Sequence, residues 1–242
     1  MSKRHEQSSF FGSFAERQEE GDGEHWLAVS DLMAGLMMIF VFVSIALMRD
    51  AMIERDKIKE VAVAYQQSQV DLYKALVNEF ENDLSRWNAV INRDTLSFEF
   101  QSPDVLFDTG KIVLKPAFRD ILDDFFPRYI NVLQVFRTSI DEVRLEGHTS
   151  SMWNKLTTVD DAYFLNMELS QGRTRSVLEY VYYLPQVADD RAWIKQHVAA
   201  VGFSSARTVQ DEQGNEDDER SRRVSFRIIT NSETQIRRIL EN

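Results

Sequence analysis

WLAVSDLMAGLMMIFVFVSIALM, Trp26 to Met48, decides the architecture of this chain, because it is an apolar run interrupted by one ionisable side chain, Asp31. About 23 residues at a helical rise of about 1.5 Å cover roughly 34 Å, enough for a hydrocarbon core of about 30 Å. The run therefore reads as a transmembrane helix. A cleaved signal peptide has a shorter apolar core between a basic start and a small-residue cleavage site. Here a mostly polar stretch, 1–25, comes first and Met48-Arg49-Asp50 follows, so the expectation is a retained single-pass anchor. Lys3, Arg4 and Arg17 precede the run while Arg49, Arg55, Lys57 and Lys59 follow it, and counting these charges leaves the orientation open.

A carboxylate at the centre of a membrane helix costs about 2.5–3.5 kcal/mol on insertion scales. Asp31 lies about five residues, or roughly 7–8 Å, inside the run. Two readings follow: an acid near the interface that stays wet, or one that carries a proton or another cation through a channel built with partner helices. Ser30, Ala34 and Gly35 surround Asp31 with small side chains, which lets a second helix approach closely.

Outward from this run, composition narrows the field. A net charge of -11 across 242 residues argues against nucleic acid as a main partner, since phosphate recognition needs clustered Lys and Arg. The absence of cysteine removes disulfides, zinc-thiolate sites and iron–sulfur clusters. From Met52 to Asn92 there is no Gly or Pro, so residues 49–92 are expected to form one linker helix. Its apolar positions Ile58, Val61, Tyr65, Leu72, Leu76, Phe80, Leu84, Trp87 and Ile91 make a seam that suits a two-stranded coiled coil, or a helix packed on its own C-terminal domain.

Residues 93–230 are expected to form an α/β (α+β) sandwich, followed by a tail over 231–242. Leu96, Phe98 and Phe100 alternate as a strand with one buried face. A helix carrying Phe118, Ile121, Leu122 and Phe125 follows, with Pro127 threatening a break. A strand at Val143–Thr149, a helix with Leu165, Leu169, Val177, Leu178 and Val181, a short helix near Trp193, and strands at 200–203 and 223–229 complete the alternation. His148 invites a metal reading, but four histidines with no His-Glu-x2-His spacing give no zinc signature. No nucleophile–base pattern or phosphate loop is present, so no enzymatic activity and no cofactor are expected. Asp211–Glu219 reads as an acidic loop whose Gly is misplaced for an EF-hand.

Two stretches carry a resemblance to known families. Trp26-x4-Asp31-Leu32-Met33-x-Gly35-Leu36-Met37-Met38-Ile39-Phe40, after a polar tail and at the head of a single membrane helix, resembles the MotB-type subunits of ion-driven stators. Its wording is most similar to the ZorB branch, which serves Zorya anti-phage defence. Residues 95–230 resemble the OmpA-like peptidoglycan-binding domain through Phe107-Asp108-Thr109-Gly110, Gly147-His148-Thr149-Ser150, Asn166-x2-Leu169-Ser170-x2-Arg173 and Ser221-Arg222-Arg223-Val224.

The resemblance implies that Asp31 carries the ion, a proton or alternatively sodium. It implies a homodimer inside a pentamer of a MotA/ZorA-like membrane protein, in the inner membrane with a cytoplasmic N-terminus and a periplasmic C-terminal domain. It also implies peptidoglycan as a partner, bound through Thr149, Asp161, Leu165, Asn166, Leu169 and Arg173. In the family the arginine grips a diaminopimelate carboxylate and an aspartate answers the ammonium. Arg173 matches the first role, whereas Ser150 stands at the place of the acid, leaving Asp160 or Asp161 as candidates to replace it. A static envelope tether and a flagellar stator subunit are the alternatives.

Overall fold

A computed structural model describes residues 12–101 and 103–231. The expected tails before residue 12 and after residue 231 lie outside the described residues. The chain divides into two units, Met1–Glu60 and Val61–Asn242. Helix α1, Gly12–Phe80, contributes to both.

In the first unit, Trp26–Glu60 is long and apolar enough to cross a membrane. Asp31 and its apolar neighbours Leu32, Met33 and Leu36 are all exposed there, the state of a helix whose surroundings are lipid or other subunits. A Cβ added at Gly35 would meet nothing within 4 Å, so the helix surface one turn from Asp31 is open.

In the second unit, the end of α1 supplies Leu72, Leu76 and Phe80 to the core of the domain, all three buried. Three of the seam positions thus pack on their own domain, and a coiled-coil partner has no access to them. The expectation of one helix through Asn92 is corrected: α1 ends at Phe80, α2 is a single turn, Leu84–Trp87, and Ala89–Asn92 is strand β1. Arg128 supplies part of the reason. Its guanidinium donates to the Glu79 carbonyl at 2.7 Å, pairs with Glu79 and Asp83, and lies 4.8 Å over the Phe80 ring, so the last turn finds its partners outside the helix. Asn88 then takes φ 45°, the left-handed state that Asn tolerates better than most residues, and turns the chain into β1.

β1 pairs antiparallel with β2, Ser97–Phe100, opening a five-stranded sheet that continues with Arg223–Thr230 (β5), Ile140–His148 (β3) and Val198–Gly202 (β4), in the order β1-β2-β5-β3-β4. After β2 come the short α3, Pro103–Leu106, and α4, Pro116–Gln134. α4 runs unbroken through Pro127, against the expected break, because Phe125, Phe126, Tyr129, Ile130 and Leu133 on either side of it are all buried and outweigh one missing backbone bond. Strand β3, Ile140–His148, leads to α5, Val159–Tyr182, then α6, Arg191–His197, and β4, Val198–Gly202, parallel to β3. The single turn α7, Asp218–Ser221, precedes β5, Arg223–Thr230, which lies between β2 and β3 and is antiparallel to both.

Registered partners Phe98, Phe226 and Leu145 share the sheet face that α4 covers, and the expected α/β layering is found. α5 buries Val177 and Val181 as expected, and departs from expectation only over its first half. Ala162, Asn166, Ser170 and Thr174 face inward while Leu165 is exposed. The cause is a close approach: a Cβ at Gly202 would lie 2.5 Å from the Gln171 nitrogen, and one at Gly147 would lie 2.8 Å from the Ser170 carbonyl oxygen. Only small or compact side chains fit a helix so near a strand.

Candidate functional site

Among the described residues, one place in each unit is a candidate site. The first is Asp31, with Gly35 one helical turn further along the apolar segment. The second is a cleft of about 170 Å³ at the C-terminal end of β3, lined by Phe107, Thr109, Gly110, Thr149, Ser150, Met152, Trp153, Asn166, Leu169, Arg173 and Arg222.

The elements explain why these residues meet. β3 delivers Thr149 and Ser150, and the Thr149 backbone N–H donates to the Ser204 carbonyl at 3.0 Å. Asn166, on the buried side of α5, donates its amide to the Ser150 carbonyl at 3.1 Å and ties the helix to that strand end. One turn on, Leu169 borders the cleft, and a further turn brings Arg173. The Arg173 guanidinium donates to the carbonyls of Lys111 at 3.0 Å and Asp108 at 3.2 Å and sits 4.8 Å over Phe107. It therefore staples the Phe107–Lys111 loop to α5 as well as bordering the cleft.

Of the residues expected to bind, Thr149, Asn166, Leu169 and Arg173 gather in the cleft, while Asp161 and Leu165 are not among its lining. Asp161 accepts from the Thr158 hydroxyl at 2.7 Å while its N–H donates back to that oxygen, so it belongs to the cap of α5. Leu165 is exposed because the helix turns its polar side inward. Met152, Trp153 and Arg222 join the lining without being among the expected binding residues. Arg222 belongs to the Ser221-Arg222-Arg223-Val224 segment, whereas nothing local in the sequence marks Met152 or Trp153. The lining contains two guanidinium groups and no carboxylate, an electrostatic setting for an anion. Glu216 of the acidic loop accepts from the Ser151 N–H at 2.8 Å and from its hydroxyl, so this segment is tied to the loop after β3. No group of three or more potential metal ligands occurs among the described residues.

Beside the cleft, on the other face of β3, lies a buried charged cluster. Glu146 Oε2 is 3.3 Å from His148 Nε2 and 3.5 Å from Arg207, Glu146 Oε1 is 3.8 Å from Arg227, and Arg223 faces Glu99 at 3.8 Å. The His148 ring stacks on Phe203 with centroids 5.3 Å apart. Burial pushes the His148 ring below its ordinary value, and the charges of Arg223 and Arg207 act in the same sense against the Glu146 contact. Burial opposes the Glu146 charge, but the His148 hydrogen bond and the neighbouring His148, Arg207 and Arg227 charges together hold the carboxyl below its ordinary value. With the ring neutral near pH 7, Arg207 and Arg227 are the lasting counter-charges of the Glu146 carboxylate.

Both shifts have the same consequence for stability. Below an unfolded value near 6.5 the unfolded chain protonates His148 while the fold does not, and below about 4.5 the same holds for Glu146. Stability is therefore expected to fall in two stages on acidification. His148→Gln should flatten the first stage, which begins as the pH falls below 6.5, in thermal melts of the solubilised chain, and an unchanged slope would refute this account.

Comparison with known proteins adds the following. The chain is 54% identical over 224 residues to the Zorya protein ZorB of Escherichia coli strain Crooks, covering 93% of this chain and 95% of that protein. No protein-family model matches the chain. Among solved structures, a protein described as MotB-like from Desulfovibrio vulgaris is 20% identical, with 71% of this chain and 94% of that one covered and a TM-score of 0.47. The cell wall anchor of the T6SS from Pseudomonas aeruginosa is 19% identical, with 64% and 96% covered and a TM-score of 0.43.

Proposed function

This chain belongs to the ZorB family, and from that premise we propose that it is the non-enzymatic, MotB-like subunit of a proton-driven membrane motor in anti-phage defence. The observation that carries the reading is Asp31, a carboxylate inside an otherwise apolar segment long enough to span a bilayer. Such a residue is costly in lipid, and a role in ion passage explains its presence. Small neighbours at Ser30, Ala34 and Gly35 allow close packing by a ZorA-like pentamer and by a second copy of this chain. The N-terminus is cytoplasmic, and the Val61–Asn242 unit lies in the periplasm.

There the cleft anchors the complex to peptidoglycan, with Arg173 and Arg222 taking a stem-peptide carboxylate. Two variants of the full chain test this half, read by sedimentation with purified peptidoglycan. Arg222→Ala should weaken retention about tenfold, because a charge-assisted hydrogen bond contributes roughly 1.5–3 kcal/mol. Its melting temperature should hold, since among the described residues the Arg222 side chain makes one hydrogen bond, to the exposed Asp218 carbonyl. Arg173→Ala should weaken retention and lower the melting temperature as well, because it also releases the Phe107–Lys111 loop. Undiminished retention in both variants would remove the cleft from wall binding.

A further inference from the structure

One wall of the cleft is not accounted for by anion chemistry. Met152 and Trp153 line it beside Arg173 and Arg222, and they remain 61% and 36% exposed. Further along the chain Leu156 is 97% exposed in the same loop, and Phe164 is 70% exposed on the first turns of α5. Large apolar side chains left in water beside a polar cleft mark a contact surface. The loop that carries them is shaped by its own bonds: Glu216 holds Ser151, the Asn154 side chain accepts from the Leu156 N–H at 2.9 Å, and Thr158 caps α5. Trp153 is therefore presented on a held loop. Within the same cleft the Thr149 hydroxyl, on a residue only 5% exposed, has no hydrogen-bond partner among the described residues.

Resting on the wall-anchor reading, we propose that Trp153, with Met152 beside it, binds a pyranose ring of the glycan strand, so that the cleft prefers a sugar-bearing stem peptide to the free peptide. The two parts of the lining have different chemistry. Guanidinium groups gain most from a carboxylate and less from neutral sugar hydroxyls, whereas an indole offers a flat apolar face and one N–H donor. A pyranose matches the indole, having a face of C–H groups and a rim of hydroxyls. A ligand with an anionic peptide at one end and a sugar at the other uses the whole lining. The partnerless Thr149 hydroxyl can donate to or accept from either part.

The test uses the full chain with its membrane partner in detergent and isothermal titration calorimetry. The probes are a disaccharide–tetrapeptide containing diaminopimelate and the same tetrapeptide without sugar. The wild type should bind the sugar-bearing ligand about tenfold more tightly, a difference equivalent to about 1.4 kcal/mol. Trp153→Ala should bring the two affinities together by weakening only the sugar-bearing ligand, Trp153→Phe should keep much of the preference, and Arg222→Ala should weaken both ligands. Equal affinities in the wild type, or equal weakening of both ligands by Trp153→Ala, would overturn the sugar assignment while leaving the wall anchor standing. Loss of subunit association in Trp153→Ala, with ligand preference intact, would assign this surface to a protein partner instead. Failure of both probes to bind the wild type would overturn the wall-anchor reading and the sugar assignment with it.

Discussion

Asp31→Asn is expected to abolish phage restriction in cells carrying the complete defence system, raising plaquing efficiency to that of cells without it. The substitution keeps nearly the same volume and the same branching, and it removes only the group that can take up and release a proton. Expression and co-purification with the ZorA-like partner should therefore stay at wild-type levels. That combination separates a motor from an anchor, because a static tether needs a helix that inserts and nothing more. A neutral side chain lowers the cost of insertion by up to about 2.5–3.5 kcal/mol, so an insertion defect does not account for the loss. Asp31→Glu, which keeps the acid on a longer arm, should retain part of the activity if the geometry around the ion is tolerant. Restriction at the wild-type level in the Asn variant would end the ion-carrier reading. Swimming in soft agar should be unaffected by any of these changes, whereas a loss of motility would point to a flagellar role.

The second large effect lies in the domain core. Phe125 has ring partners at 5.3 Å in Phe80, 6.1 Å in Trp87, 4.5 Å in Phe98, 5.2 Å in Phe100, 5.0 Å in Tyr129 and 5.0 Å in Phe226. It thus joins the end of α1, α2, α4 and two strands at one point. Phe125→Ala should cost about 3–5 kcal/mol through lost burial and the cavity left behind. Domains of this size are commonly stable by only about 5–15 kcal/mol, so the variant should melt far below the wild type or fail to accumulate. Phe125→Leu should recover more than half of the loss, because it refills most of the volume. Circular dichroism melts of the solubilised chain measure both. A melting temperature within a few degrees of wild type for Phe125→Ala would show that the aromatic cluster is not the centre of stability.

The same cluster explains where sequence reading stopped. The apolar length of 26–48 and the lone Asp31 within it are properties of a contiguous window, and no tertiary contact is needed to see them. The period-two pattern at Phe98 and Phe100 and the order of strands and helices were legible for the same reason. The resemblance also pointed to Thr149, Asn166, Leu169 and Arg173, which the fold gathers around one cleft.

Other features were decided by partners distant in the chain. Residues 81–92 carry no Gly or Pro to stop a helix. What ends α1 is Arg128 reaching the Glu79 carbonyl and β1 pairing with β2. Pro127 stays helical because packing on both sides exceeds its local penalty. The first half of α5 turns the small and polar Ala162, Asn166, Ser170 and Thr174 inward because Gly147 and Gly202 let the helix approach the strands closely, and no helical periodicity carries that information. Trp153 and Arg222 come to the same cleft only when the loop after β3 and the turn before β5 fold against one another, as the Glu216 contact to Ser151 records. Length, polarity and period are local and additive along the chain, so sequence alone determined the span, its acid and the layering of the domain. Helix termini, buried faces and the walls of the cleft depend on close approach between segments far apart in sequence, and only the tertiary structure could decide them.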